Sequence, residues 1–182
     1  FKKFKSQILF DISAIGTLHY LEFDKNYAFT GEILDLWELA YIDKGEVIIT
    51  EGTKEKRCKQ GDILFLQPNI YHNIKADGVD SSIVFSIIFE CKSKAMEEFK
   101  EKIIKLPKNL RPLVDEIINA GLKTFHIPIS IRYINEQRIE LELKLLEEPL
   151  FGGSQLIKIY LEELLIKLLQ NDRITQNKKQ FF

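Results

Sequence analysis

Residues 32–72 read EILDLWELAYIDKGEVIITEGTKEKRCKQGDILFLQPNIYH. Short runs of β-branched and aromatic residues are separated here by glycine, asparagine and aspartate, a pattern typical of short antiparallel strands joined by tight turns. Between two of these runs, residues 51–53 supply a glycine that can adopt a positive φ, which predicts a hairpin. Many short antiparallel strands indicate a sandwich or a barrel.

The same pattern extends outward on both sides of this stretch. It predicts strands at 18–23, 36–42, 46–50, 54–58, 62–67, 72–75 and 82–90. After Lys94 the apolar residues are spaced by three and four, which predicts helices instead. The first helix would carry Met96, Phe99, Ile103 and Ile104. The second would run from an N-cap at Asn109 through an apolar stripe at 113–125.

The strongest helix signal covers residues 154–170, with Ser154 in the cap position. One apolar stripe comprises Ile157, Tyr160, Leu161, Leu164, Leu165 and Leu168. A second seam comprises Leu156, Ile159, Ile166 and Leu169. Two apolar faces predict that the helix packs on its own domain and on a second subunit, so we expect a homodimer; the alternative is a helix sunk in its own domain.

Two stretches give weaker signals. Residues 139–145 alternate like a strand but have no evident partner, so we leave them unassigned and expect a connection. Residues 171–182 are polar and are expected to form a linker.

Composition excludes several classes of protein. With 45% hydrophobic and 29% charged residues among 182, the chain has the makeup of a soluble globular protein, and its longest apolar runs are too short to span a membrane. A net charge of −1 gives no basic face for DNA. Two cysteines make no disulfide framework, which favours a cytoplasmic protein. Because the chain begins at Phe1 and its only methionine is Met96, we expect it to be part of a longer protein.

The spacing of several residues resembles the two sequence motifs of the cupin barrel. Glu38 takes the glutamate position of the first motif and precedes Gly45 by six intervening residues. Gly61 and His72 take the glycine and the last histidine of the second motif. In the first motif two histidines would fall at Glu32 and Leu34, so most of the metal-binding triad of that family is missing here.

A more specific resemblance runs from about Leu18 to Gln170. The runs 36–45, 61–72 and 89–91, followed by 151–165, are similar in order and spacing to the amino-terminal domain of AraC-type transcription regulators. The resemblance implies a mainly β fold with C-terminal α structure: a cupin barrel (double-stranded β-helix or jelly-roll) followed by two or three helices. It places the effector-binding barrel at 1–92, a helical dimerisation region at 93–170, and a linker at 171–182 towards a helix-turn-helix domain.

The function implied by this resemblance is effector sensing without catalysis, metal or cofactor. A small metabolite, such as a sugar, would bind in the barrel, the helix at 154–170 would form a homodimer, and DNA would be bound only by the absent C-terminal domain. Period-two alternation from Glu38 predicts an inner face whose polar members are the ligand-binding candidates. They are Thr30, Glu32, Glu38, His72 and Ser86. The same alternation puts Trp37 on the outer face, packed under the helices.

Other interpretations stay open. Glu32, Glu38 and His72 could form a thin three-ligand metal site, so a small metal-dependent cupin enzyme, an isomerase or dioxygenase, is the alternative function. A sugar-binding or storage-type cupin is a third. His19 and His126 have no partner residue at a spacing that would indicate a functional site, so they are expected to be structural or exposed. No nucleophile or phosphate-binding motif is present, which disfavours other enzyme classes.

Overall fold

A computed structural model describes residues 1–127 and 142–180. The described residues form eight strands and two α-helices. The strands are β1 (Ile12–Phe23), β2 (Trp37–Lys44), β3 (Glu46–Glu51), β4 (Lys54–Lys59), β5 (Asp62–Leu66), β6 (His72–Ala76), β7 (Ser82–Cys91) and β8 (Ile103–Lys105). The helices are α1 (Arg111–Thr124) and α2 (Gly153–Gln180), with 3₁₀ turns at Lys94–Phe99 and Lys108–Leu110. The predicted fold class, mainly β with C-terminal helices, is confirmed.

The strands form two antiparallel sheets. One has the order β1-β7-β2-β5-β8 and the other the order β4-β3-β6. The hairpin predicted at 51–53 joins β3 to β4, and Gly52 has the φ of 60° that this tight turn requires. The seven predicted strands are present as β1 to β7, although β1 begins at Ile12 and not at Leu18. Burial alternates with period two in β3, whereas β5 is buried on both faces and is marked by its apolar run and the turn residues before it.

Alternation along β2 separates two apolar cores. Ala40 and Ile42 belong to a cluster between the two sheets, together with Val47, Ile49 and Val84. On the opposite face, Trp37, Leu39 and Tyr41 belong to a larger cluster that both helices share. The prediction that Trp37 packs under the helices is confirmed, and the molecule has three layers: small sheet, large sheet and helices.

An ion-pair cluster joins β2 to α1. Arg111, the first residue of α1, donates from its guanidinium to Asp43 at 2.6 Å and to the Tyr41 hydroxyl at 2.7 Å. It also donates to Asp115 at 3.0 Å, one turn along α1. Tyr20 of β1 donates its hydroxyl to the other oxygen of Asp43 at 2.5 Å. Two strands of the large sheet are thus fixed to the start of the helix; we call this group the Arg111 strut.

The last helix covers the beginning of the first strand. Glu162 of α2 accepts a hydrogen bond from the Ile12 amide at 2.8 Å, and Lys158 forms an ion pair with Asp11 at 2.8 Å. Ile12 and Leu161 are both buried in the larger core. The amino-terminal and carboxy-terminal parts of the described chain therefore stabilise each other directly.

Several helix predictions were wrong. Ile103 and Ile104 lie in β8, which pairs with β5, so the large sheet continues past the boundary predicted at residue 92. Their spacing from Met96 and Phe99 imitates a helix because a 3₁₀ turn and a strand follow one another. Asn109 lies in a 3₁₀ turn and does not cap α1, whose N-cap is Leu110.

Both ends of α2 also differ from the prediction. The helix begins at Gly153, so Ser154 is inside its first turn. It continues to Gln180 through the polar stretch that was predicted to be a linker. Polar residues can extend a helix once a buried segment has nucleated it, because each added residue gains a hydrogen bond. Of the unassigned stretch 139–145, Ile139 and Leu141 lie outside the described residues, and Leu145 forms a β-bridge with Phe125.

The second apolar seam of α2 is mostly covered within the chain. Leu169 is buried, and Leu156 and Ile166 are partly buried against the larger core. Ile159 is 46% exposed. Among the described residues, no helix is both long enough and apolar enough to cross a membrane.

Candidate functional site

A cavity of about 300 Å³ lies between the two sheets. This volume is at the lower end of the range of about 300–1,000 Å³ that is typical of small-molecule sites. Strands β1, β2, β6 and β7 and the segment between β1 and β2 supply most of its wall, and Ile49 of β3 and Leu66 of β5 supply the rest. The inward positions of these strands therefore decide what the cavity can bind.

Glu38 and His72 are at the centre of a polar layer in the cavity wall. The Ser86 hydroxyl donates to Oε1 of Glu38 at 2.5 Å. Nε2 of His72 lies 3.1 Å from Oε2 of Glu38 and 3.8 Å from Oε1 of Glu32. Two carboxylates thus meet one imidazole, and we call Glu32, Glu38, His72 and Ser86 the polar layer.

The two nitrogens of His72 have different surroundings. Nδ1 lies 3.3 Å from the Ile70 carbonyl oxygen, and a carbonyl can only accept, so Nδ1 carries a hydrogen. Nε2 is buried and faces the two carboxylates without the alignment of a hydrogen bond to either. Oδ1 of Asn73, another wall residue, is also buried without a hydrogen-bond partner, so the cavity offers two such atoms to a bound group.

Electrostatics favour the charged pair. Burial alone would raise the pKa of Glu38, but the His72 imidazole and the Ser86 hydroxyl hold that pKa below its usual value of 4.5. Burial alone would lower the pKa of His72, but contact with Glu38, the Ile70 carbonyl and Glu32 raises that pKa above its usual value of 6.5. Both shifts favour the charged forms, a Glu38 carboxylate facing a His72 imidazolium, over the neutral pair.

His19 is a cavity residue that the sequence interpretation missed. It lines the wall with its ring nitrogen Nε2 2.9 Å from the Thr17 hydroxyl. Burial lowers the pKa of His19, an effect that Glu38 partly offsets, so the ring is neutral near pH 7. Extending the alternation of Leu21 and Phe23 backwards along β1 would have placed His19 and Thr17 on the same inward face. His126, by contrast, is exposed as expected.

Of the five predicted ligand-binding residues, four lie in the cavity wall. These are Glu32, Glu38, His72 and Ser86, and the structure brings them together from three strands and one loop. Thr30 does not join them; it is exposed, and its carbonyl accepts a hydrogen bond from Tyr71 at 2.6 Å. Alternation fails there because Gly31, with a φ of 100°, turns the chain before β2 begins.

Apart from the polar layer and Thr17, His19 and Asn73, the wall is apolar. Leu21, Ile49, Ile74 and Val84 face the cavity beside the polar layer. Phe23 and Tyr27 stack with their ring centroids 4.2 Å apart, and both also line the wall. The cavity wall is therefore mainly apolar, and the polar layer is its largest group of polar side chains.

The polar layer could also hold a metal ion. One ligand atom each from Glu32, Glu38 and His72 lies within 4.8 Å of the others. The hydrogen on Nδ1 of His72 leaves Nε2 as the ligating nitrogen, and the Ile70 carbonyl orients the ring as outer partners of metal-binding histidines do. The donor set of two carboxylates and one imidazole fits a divalent ion such as Fe or Mn.

A family model described as an AraC-like ligand binding domain matches residues 18–123. This span starts in β1 and ends in α1, so it contains almost the whole cavity wall. The chain belongs to the AraC-like ligand binding domain family. The resemblance read from the sequence is thereby confirmed. A search of curated proteins found no match.

Three solved structures illustrate what this AraC-like domain is similar to. A cupin 2 conserved barrel domain protein from Rhodopseudomonas palustris is 20% identical, covers 52% of this chain and 60% of that chain, and has a TM-score of 0.36. A predicted oxalate decarboxylase from Thermotoga maritima is 20% identical, with 37% and 60% covered and a TM-score of 0.36. KdgF from Halomonas sp. is 17% identical, with 38% and 64% covered and a TM-score of 0.34. The AraC-like domain thus spans less than two thirds of each.

Proposed function

We propose that this AraC-like domain is the effector-sensing and dimerisation part of a cytoplasmic transcription regulator and that it binds a small metabolite in the cavity. The observation that carries the proposal is the contact of Glu38 with His72 and Ser86, in the polar layer of a mainly apolar cavity. A few convergent polar groups on apolar walls are what a small-molecule site needs. Membership of a ligand-binding family supports the same conclusion.

Strand β2 connects the cavity to the helices. Glu38 faces the cavity, while Tyr41, three residues later, faces the helices and accepts a hydrogen bond from Arg111 of α1. An effector that contacts Glu38 acts on the same strand that fixes the start of α1. In the proposed mechanism, effector binding shifts the population between two arrangements of barrel and helices, and thus the spacing of attached DNA-binding domains.

Dimerisation through residues 154–170 is part of the proposal. The exposed Ile159, beside the half-buried Leu156 and Ile166, supports a contact on this side of α2. DNA contact belongs in this proposal to a separate helix-turn-helix domain, because a net charge of −1 does not indicate the basic surface that DNA binding needs.

The proposal is tested by an effector screen with a cavity variant. Metabolites are screened by thermal shift against the whole chain, and each one that binds is titrated against Glu38→Ala combined with His72→Ala. We expect the double variant to lose at least about tenfold in affinity, which corresponds to about 1.4 kcal/mol. Glu55→Ala with Lys75→Ala, an exposed ion pair on the small sheet, is the matched control and should bind as the wild type does. Unchanged affinity in the cavity variant would contradict the proposal.

A small metal-dependent enzyme is the second candidate, and the grouping of ligand atoms from Glu32, Glu38 and His72 favours it. A bound ion would act as a Lewis acid towards a substrate oxygen, and the apolar wall would exclude water from that site. Metal analysis of protein purified without chelators distinguishes the two candidates. Stoichiometric metal that His72→Ala removes would favour the enzyme; absence of metal with intact effector binding would favour the sensor.

A further inference from the structure

We propose that the ligand of this cavity is a compact, uncharged molecule with one hydroxyl group on an apolar body. The hydroxyl group meets Glu38 and His72 of the polar layer, and the body lies against the apolar side chains beside that layer. This inference rests on the proposed function and specifies the chemical class of the effector.

The buried Nε2 atom of His72 requires a partner from the ligand. Only 6% of the His72 side chain is exposed, and among the described residues Nε2 has no aligned hydrogen-bond partner. When His72 is an imidazolium, Nε2 carries a hydrogen and needs an acceptor; when His72 is neutral, Nδ1 keeps its hydrogen and Nε2 needs a donor. A hydroxyl group supplies either one. An ammonium group cannot accept, and a carboxylate or an ether cannot donate.

Glu38 provides an acceptor for the hydrogen of the hydroxyl group. Its Oε1 atom accepts from Ser86 at 2.5 Å, and its Oε2 atom lies 3.1 Å from Nε2 of His72. One ligand oxygen can therefore lie within hydrogen-bond distance of both Oε2 and Nε2, donating to the first and accepting from the second. Oδ1 of Asn73, in the same wall, is a second buried acceptor that has no partner in the described part of the chain. The head group of the ligand must therefore carry a hydrogen.

The charges in the cavity favour an uncharged ligand. Glu38 and His72 form a buried ion pair at 3.1 Å, so each already has a counter-charge. The described residues that line the cavity include neither lysine nor arginine. A carboxylate placed here would lie close to Glu38 without a cation of its own. In surroundings of low dielectric constant, that repulsion between like charges is strong.

The register of the strands places apolar positions directly beside the polar ones. His19 of β1 pairs with Ser86 of β7, and the ring of His19 already binds the Thr17 hydroxyl at 2.9 Å. The neighbouring inward positions on the two sheets, one pair on each, are Leu21 with Val84 and Ile49 with Ile74. The stacked rings of Phe23 and Tyr27 continue this apolar part of the wall. A sugar would bury several hydroxyls against it without partners, whereas a body with one hydroxyl group would not.

The test is a calorimetric comparison of probes with one aromatic body and different head groups, together with one polyol. 2-Phenylethanol, its methyl ether, 2-phenylethylamine, 3-phenylpropanoate and xylitol are titrated into the whole chain at pH 7. We expect the alcohol to bind at least about tenfold more tightly than each of the other four. The methyl ether keeps the acceptor oxygen of the alcohol but has no hydrogen to donate.

Glu38→Leu combined with His72→Leu removes both partners of the hydroxyl group. Apolar residues of similar size often replace a buried ion pair without loss of stability, and a cooperative unfolding transition will show that the variant folds. In this variant the advantage of the alcohol over the ether should fall below about threefold. Glu38→Gln, which keeps the size of the side chain, should weaken alcohol binding at least about threefold and decides the matter if the double variant does not fold. Glu55→Ala with Lys75→Ala should retain the order of the probes.

Binding of the ether, the amine, the carboxylate or xylitol as tightly as the alcohol would overturn the hydroxyl class and leave the cavity as an effector site. An alcohol preference that persists in Glu38→Leu, His72→Leu or alcohol binding that is unchanged in Glu38→Gln would also overturn it. If none of the probes binds, the hydroxyl class is rejected, and the metabolite screen with the Glu38→Ala, His72→Ala variant decides the proposed function separately.

Discussion

His72 is the residue on which the cavity depends most. Its Nδ1 is anchored to a backbone carbonyl, and its Nε2 holds the carboxylate of Glu38 in an interior where an unpaired charge would be costly. The same contacts that orient a ligand group therefore also stabilise the barrel.

His72→Ala should lower the free energy of unfolding by about 3 kcal/mol, because it leaves the Glu38 carboxylate buried without its ion-pair partner. Urea denaturation measures this value. Lys75→Ala, which breaks an exposed ion pair on the same strand, should cost at most about 1 kcal/mol. Equal effects of the two substitutions would show that the buried pair has no special role.

Gly31→Ala should be far more destabilising than a typical surface substitution. Its φ is 100°, and a Cβ atom there would overlap the ring of Tyr71. We expect a loss of about 3 kcal/mol from the combined strain and overlap. Gly78→Ala is the control, because Gly78 has a similar φ of 84° but no atom within 4 Å of its added Cβ, so strain alone should cost about 1 kcal/mol. Thermal unfolding of both variants gives the comparison.

The predicted orientation of a side chain was correct where the residue lies in a regular strand. Glu38 and Ser86 were placed correctly because each lies in a strand whose inward face follows period two. Thr30 was misplaced because the alternation was extended through Gly31, where the backbone turns. His19 was missed because a lone histidine has no spacing pattern of its own. The alternation of Leu21 and Phe23 on the same strand would have indicated that His19 faces inward.

At the scale of secondary-structure elements, the Arg111 strut joins two strands to a helix. Burial and the hydrogen bond to Asp43 raise the pKa of Tyr20 to about 12, since both favour the neutral phenol. In the unfolded chain this phenol has its usual pKa of 10. The stability that the Arg111 strut contributes by joining β1 and β2 to α1 therefore depends on pH in the alkaline range.

Tyr20→Phe should lower the free energy of unfolding at pH 8 by about 1 kcal/mol, the typical contribution of one hydrogen bond. Above pH 10 the unfolded wild type releases the Tyr20 proton before the folded protein does, so wild-type stability falls as pH rises towards 12. The phenylalanine variant has no such proton, and the difference between the two proteins should shrink over this interval. Urea unfolding at pH 8, 10 and 11 would show a constant difference if the strut were absent in solution.

The type of an element was predictable where its apolar residues follow a single period over its whole length. It was not predictable where two short elements of different type follow one another in the chain. The spacing of Met96, Phe99 and Ile103 imitates one amphipathic helix, although a 3₁₀ turn and the strand β8 provide it. Only pairing with β5, a contact distant in sequence, decides that Ile103 is in a strand. The extension of α2 to Gln180 was missed because polar composition alone does not distinguish a linker from an exposed helix.

At the scale of the whole molecule, the proposed contact of α2 with a second chain is the property to test. Much of the second apolar seam packs within the chain, which leaves Ile159 as the exposed apolar side chain in the middle of the proposed interface. A dimer through α2 would have to bury this residue.

Ile159→Lys should convert the proposed dimer to a monomer, since a lysine would be desolvated at the centre of the contact. Sedimentation velocity over a range of concentrations measures the change. Val79→Lys, a substitution at a 68% exposed position on the barrel, should leave the dimer intact. A wild-type chain that sediments as a 21.3 kDa monomer at every concentration would contradict the dimer.

The packing of α2 on β1 has a consequence for biosynthesis. The Ile12 amide and the Glu162 carboxylate that accepts its hydrogen are 150 residues apart, so the ribosome must add those residues before the contact can form. At about 5–20 residues per second, α2 is synthesised on the order of ten seconds after β1, and only then can it pack on the outer face of the large sheet. During that interval the nascent chain presents Trp37, Phe65 and Phe89 to its surroundings. A chaperone that binds apolar segments near the ribosomal exit tunnel would bind these uncovered residues. The yield of native protein should therefore depend on the presence of such a chaperone.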